Sequence, residues 1–154
     1  GLDSVTAVYR YEGRAKEAVA RLKFGRSLAL VDPMARMIAE SPLPAFDVAV
    51  PVPIHWSRRA RRGFNQATEL ARALPNVRPE SFLRVRRTGT QRTRDRAARL
   101  AAVRGAFRAR DVAGARVLIV DDVCTSGGTL RACAEALRDA GAAEVHAAVF
   151  ARLA

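Results

Sequence analysis

The sequence predicts an α/β fold: a mostly parallel central sheet flanked by helices, in one domain covering all 154 residues. Three observations carry that expectation. The run Val117-Leu118-Ile119-Val120 is apolar at every position and rich in β-branched residues, as a parallel strand covered on both faces must be. Strand-like and helix-period segments alternate along the chain, with glycines and prolines between them. A chain of this length buries about two-thirds of its unfolded surface and needs no disulfide or metal staple.

Val5 to Tyr11 alternates and carries β-branched and aromatic residues, so it reads as an opening strand that ends at Glu12-Gly13. Arg14 to Lys23 follows as a helix with Ala15, Ala18, Val19 and Leu22 on one face. Lys23, just before Gly25, reads either as a cation complementing a helix C-terminus or as a phosphate contact. Leu28 to Ala39 is a second helix, and Pro42 and Pro44 break the chain after it. Phe46 to Val50 is a strand ended by Pro51-Val52-Pro53.

A strongly basic loop comes next, with Arg58, Arg59, Arg61 and Arg62 before Gly63-Phe64-Asn65-Gln66 and a helix running through Leu74. At the carboxyl edge of a parallel sheet such a loop can cradle pyrophosphate. A solvated loop or a nucleic-acid patch are its rival readings. His55 and Trp56 read as structural, and Asn65 as a possible helix cap. Phe82 to Val85 is a short strand. Arg86 to Arg99 then has few large apolar residues and is expected to be mobile without a ligand. Val103 to Phe107 returns to the core, Gly128 to Ala140 is a helix, and Val145 to Phe150 is a last buried strand in which His146 is structural.

Chemistry concentrates between Val117 and Thr129. After the apolar run come two adjacent carboxylates, Asp121 and Asp122, and then Thr125-Ser126-Gly127-Gly128-Thr129 opens a helix. The first amides of a helix lack intrahelical partners and its dipole favours an anion there. The glycines let backbone approach a ligand closely, and the three hydroxyls can cap the helix or bind phosphate. No Gly-x-x-x-x-Gly-Lys-Ser/Thr and no Gly-x-Gly-x-x-Gly after a strand is present. The bland alternative is a strand end with two acids capping a turn.

Position for position, Val117 to Thr129 resembles the phosphoribosyl pyrophosphate (PRPP) motif of type I phosphoribosyltransferases, glycosyltransferases with a Rossmann-like sheet. The resemblance implies that Asp121 and Asp122 hold the ribose hydroxyls and that Thr125, Ser126, Gly127, Gly128 and Thr129 hold the 5-phosphate. It implies pyrophosphate contacts at Lys23, Val52, Pro53, Arg61 and Arg62. Mg²⁺ would be shared with Asp121 and Asp122, directly or through water, and the segment near 86–101 would be a lid. Leu22-Lys23-Phe24, Pro51-Val52-Pro53-Ile54-His55 and Arg62-Gly63-Phe64-Asn65-Gln66, with Gln91, Arg99, Val103 and Gly105-Ala106-Phe107, narrow it: the chain resembles the competence-associated ComF family over nearly its whole length. Members usually begin with a four-cysteine zinc module. No cysteine precedes Cys124 here, so zinc is not implied, and the chain reads as a short member or a shortened one. Ala102 replaces the family's usual Asn. Thr125 stands where purine-specific relatives carry an acid, so no general base is implied.

The net charge of +12, from 27 basic and 15 acidic residues, suits a polyanionic partner, either a phosphorylated small molecule or nucleic acid. An Arg- and Ala-rich background accounts for part of it. Cys124 and Cys133 lack metal-ligand spacing and read as free thiols. With no eighteen-residue apolar run and no signal-peptide pattern, the expectation is a cytosolic chain without membrane insertion. Three functions stay open at this point: phosphoribosyl transfer to an unnamed acceptor, a single-stranded-DNA-binding uptake accessory that keeps the fold, and a PRPP or nucleotide sensor.

Overall fold

The computed structural model describes residues 1–24, 27–54, 64–84 and 105–154. Four parallel strands form the central sheet in the order β1-β6-β5-β2: β1 Ser4–Arg10, β2 Val48–Pro51, β5 Arg116–Cys124 and β6 Glu144–Arg152. Around it lie α1 Gly13–Lys23, α2 Val31–Glu40, α3 Gln66–Leu70 and α4 Gly128–Asp139. A separate antiparallel pair joins β3 Phe82–Arg84 to β4 Phe107–Ala109.

The strand pleat sorts the core into two layers. Val117 and Ile119 pack with Leu130, Cys133 and Leu137 of α4 and with Phe82 and Phe107. Leu118 and Val120 pack on the other face with Val19 and Leu22 of α1, Met34 and Ile38 of α2, and Leu70 of α3. A period of two along a strand buried on both sides requires this division. The helix after β5 therefore covers one face, while the helix after β2 covers the other. Where neighbouring strands send their connections to opposite faces, a crevice opens at their carboxyl ends, and here that point lies between β5 and β2.

Several boundaries differ from expectation. β5 runs on through Asp121 and Asp122 to Cys124, so the acids lie within the strand rather than beyond it. The second helix divides into a 3-10 turn at Leu28–Leu30 and α2 from Val31. Pro33 is the reason: it has no N–H to donate backwards and is tolerated only in a helix's first turn. Pro51 closes β2 instead of ending it early, which an edge strand permits. The outer side of β2 is covered by the bridge Ala49↔Val77. α3 stops at Leu70, although Ala71 and Leu74 remain buried.

Asp47 ties the start of β5 to the approach to β2. Its Oδ2 accepts from the Arg116 backbone N–H at 2.8 Å and from Nε at 3.2 Å, and its Oδ1 accepts from Nη2 at 2.9 Å. The guanidinium, then the backbone N–H, hold the Asp47 carboxyl down at about 2. Among the described residues no helix is long and apolar enough to cross a membrane. Neither cysteine is in a disulfide, and both are buried.

Leu118 is fully buried in the central strand between two layers. Leu118→Ala is expected to lower the unfolding free energy by about 2–5 kcal/mol. The control, Leu153→Ala at a half-exposed position, should stay within about 0.5 kcal/mol. Guanidinium denaturation of both variants measures the difference.

Candidate functional site

Asp121 and Asp122 occupy the carboxyl half of β5, next to the crevice. Pairing with β6 runs from Arg116↔Glu144 to Asp121↔Val149 and resumes at Val123↔Ala151, passing over Asp122. Strand β1 passes over the same β6 residue, from Ala7↔Val149 to Tyr9↔Ala151, so the break is shared across the sheet at Phe150. Asp121 Oδ1 accepts from the Asp122 N–H at 2.9 Å, and Asp122 Oδ1 accepts from the Val123 N–H at 2.7 Å. Short carboxylate side chains thus take backbone donors that a ladder would otherwise use. Beyond them the pleat changes phase: Val123 packs on the α1 and α2 side and Cys124 on the α4 side, the reverse of the alternation from Val117 to Val120.

The two carboxyls have unequal surroundings. Asp122 is 3% exposed, and Lys23 Nζ, at the last residue of α1, stands 3.3 Å from its Oδ2. That is an ion pair whose angle falls short of a hydrogen bond, so Oδ2 has no hydrogen-bond partner among the described residues. Asp121 keeps part of its surface open. Burial first, and then the charge of Asp122, push its carboxyl well above the usual carboxylate range. The Asp122 N–H and Lys23 pull it back only in part. Lys23 therefore stands at the helix C-terminus and also pairs with a carboxylate of β5.

Gly127 carries φ 81° and ψ 4°, a left-handed conformation that favours glycine, and serves as the cap of α4 without a side-chain bond. Of the hydroxyls, Ser126 Oγ makes only a long 3.5 Å contact with the Gly128 N–H. Of the two uses the hydroxyls could have, capping is thus limited to that long contact among the described residues. Thr125 and Ser126 are exposed, while Gly127, Gly128 and Thr129 are half-buried. Sequence reading overlooked Arg131. A Cβ added to Gly127 would lie 3.0 Å from Arg131 Nη1, so this guanidinium lies over the loop. Its place four residues after Gly127, one helical turn on, was the available signal.

Across the crevice, Val52 is buried and Pro53 half-buried just beyond β2. The Val52 N–H donates to Val120 O at 2.9 Å, which fastens this segment beside the carboxylate strand. Asn65 caps α3: its Oδ1 accepts from the Ala67 N–H at 2.9 Å. Arg61 and Arg62, with His55, Trp56 and the remainder of 55–63, lie outside the described residues, as does the expected lid at 86–101. His146 is held between Ser4, whose Oγ is 2.7 Å from Nδ1, and Glu144, whose Oε2 is 2.9 Å from Nε2, which suits its structural assignment.

A carboxylate whose folded pKa is raised destabilises the fold once pH passes its unfolded value. Between the unfolded and folded pKa the native state binds the extra proton, so stability falls as pH rises through that window and stays low above it. Asp121→Asn removes this penalty. At neutral pH, without ligand, the variant should unfold at least about 2 °C above the parent, and the gap should close near pH 4. Calorimetric melts at both pH values check it.

The sequence pattern of the phosphoribosyl transferase domain matches residues 60–153, more than half of the chain. The DNA utilization protein YhgH of Salmonella typhi is 35% identical over 145 residues, covering 83% of this chain and 63% of that protein. The competence protein ComFC of Bacillus subtilis is 25% identical over 141 residues, covering 89% of this chain and 59% of that protein. The chain thus spans somewhat under two-thirds of these relatives' length. Among solved structures, the glutamine PRPP amidotransferase of B. subtilis, complexed with ADP and GMP, superposes with a TM-score of 0.53 at 26% identity, over 77% of this chain and 25% of that one. With a type I phosphoribosyltransferase-like sheet, this domain pattern and these relatives, the chain belongs to the phosphoribosyl transferase domain family, within its ComF branch.

Proposed function

We propose that this domain binds PRPP across the carboxyl ends of β5 and β2 and carries out a Mg²⁺-dependent phosphoribosyl transfer. One observation carries the reading: two adjacent carboxylates, Asp121 with part of its surface open and Asp122 paired with Lys23, lie on the strand that leads directly into a helix capped without a side chain. Carboxylate oxygens accept from hydroxyls such as those of a ribose, and a helix N-terminus suits a phosphate. Asp121 and Asp122 accept from the ribose hydroxyls, and Thr125 to Thr129 donate to the 5-phosphate. Lys23, the Val52-Pro53 segment, Arg61 and Arg62 face the pyrophosphate, where cationic groups stabilise charge developing on the leaving group.

Mg²⁺ fits this donor set as a guest of the substrate. No cluster of three or more metal-ligating side chains exists among the described residues, whereas Asp121 and Asp122 are two hard oxygen donors at the mouth of the crevice. Mg²⁺ commonly binds through one or two carboxylates together with phosphates and waters. When bound it would supply charge neutralisation at the pyrophosphate. Thr125 offers no acid for an acceptor base, so the reading assigns no general base.

Calorimetric titration with PRPP and Mg²⁺ tests the site. The parent should bind, and the Asp121→Asn, Asp122→Asn double variant should bind at least about tenfold more weakly, as the loss of charge-assisted hydrogen bonds implies. A silent parent, or equal binding by the double variant, would overturn the reading. Pyrophosphate release over a panel of bases then separates transfer from sensing.

The net charge of +12 supports a second reading, contact with single-stranded DNA, and the relatives' names concern DNA utilization and competence. Binding driven by phosphate contacts should weaken by at least about tenfold between roughly 50 and 200 mM salt. Fluorescence anisotropy of a labelled oligonucleotide would show this, and no binding at the lower salt would end the idea.

A further inference from the structure

We propose that Asn65 is a positioning residue for the pyrophosphate half of the site, holding the Pro51-Val52-Pro53 segment against the carboxylate strand. The inference rests on the phosphoribosyl reading above. It begins from what Pro-Val-Pro lacks. Proline has no N–H, so the only backbone donor in the three residues belongs to Val52, and Val120 O already takes it at 2.9 Å. The segment has no N–H left with which to brace its own turn, and a carbonyl beside buried Val52 needs a donor from elsewhere. Asn65 supplies one: its Nδ2 donates to Val52 O at 3.1 Å.

The same side chain accepts from the Ala67 N–H at 2.9 Å. Only one orientation of the amide serves both contacts, since the reverse would set NH₂ against N–H and oxygen against carbonyl. Asn, Asp and Ser cap helices about equally well. A cap alone therefore does not call for Asn at this position, whereas a cap that must also donate to Val52 O excludes Asp, which has no hydrogen to give, and Ser, whose hydroxyl is too short to reach it. Gln would carry the amide one methylene too far out.

A continuous series of bonds results. Val120, one residue before Asp121, holds Val52; Val52 is held by Asn65; and Asn65 opens α3. This joins the two halves of the crevice through one side chain. It also brings Val52 and Asn65, thirteen residues apart in sequence, to a single point.

The test compares PRPP with ribose 5-phosphate, which lacks the pyrophosphate, in the parent and in Asn65→Ser. Serine keeps an oxygen for the Ala67 N–H but is too short to reach Val52 O. By calorimetry with Mg²⁺, Asn65→Ser should hold ribose 5-phosphate within about twofold of the parent and bind PRPP about tenfold more weakly. Thermal melts without ligand check that the cap is kept, and Asn65→Thr repeats the comparison should serine lower the melt. Equal losses for both ligands, or none for either, would overturn the positioning role and leave the phosphoribosyl reading standing. A parent that binds neither ligand would remove both.

Discussion

The constraint on which this structure turns is the placing of two adjacent carboxylates inside a strand covered on both faces. Charge of that kind is expensive to bury unless it is paired. Asp122 meets the demand by facing Lys23 at the end of α1, and both acids draw a backbone N–H from the residue that follows. Asp121 has less compensation, and its carboxyl is driven toward the protonated form. The strand gives up one rung with β6 beside the pair and changes the phase of its pleat. Local stability is thereby exchanged for polar groups held at a crevice, as functional sites commonly require.

The rest of the fold supports that exchange. Strand β5 is flanked by parallel neighbours, and its apolar half from Val117 to Val120 is entirely buried. This anchors the polar half. α1 enters the same layer through Val19 and Leu22, which sets Lys23 at the level of Asp122. Leu130, Cys133 and Leu137 of α4 pack on one face of the sheet and Leu70 of α3 on the other, the arrangement that opens a crevice between the ends of β5 and β2. The proposed Asn65 clamp closes this arrangement on the β2 side, where two prolines deny the backbone its own bonds.

Much of this was legible in residue order because it depends on local chemistry. A run of β-branched residues must be a buried strand, a proline must end or restrict a helix, and a Gly-Gly turn after a strand makes a phosphate loop geometrically possible. The expected helices, strands and glycine turn are present, with shifts at the ends. Those shifts have tertiary causes: the carboxylates remain in β5 because β6 continues to pair on either side of them, and Pro51 stays in β2 because only an edge strand tolerates it there.

By itself the sequence determined the fold class, the Asp121-Asp122 pair followed by the Thr125 to Thr129 loop, and the family, since each is written in contiguous residues. It left Lys23 undecided between a helix end and a ligand contact, treated Asn65 as a cap and passed over Arg131. Two of the contacts these residues make depend on distances across elements remote in sequence, Lys23 to Asp122 and Asn65 to Val52, while Arg131 lies over Gly127 one helical turn away. The physical reason is that periodicity and turn chemistry act within a few residues, whereas the pairing of a buried charge or carbonyl depends on which elements the sheet brings side by side.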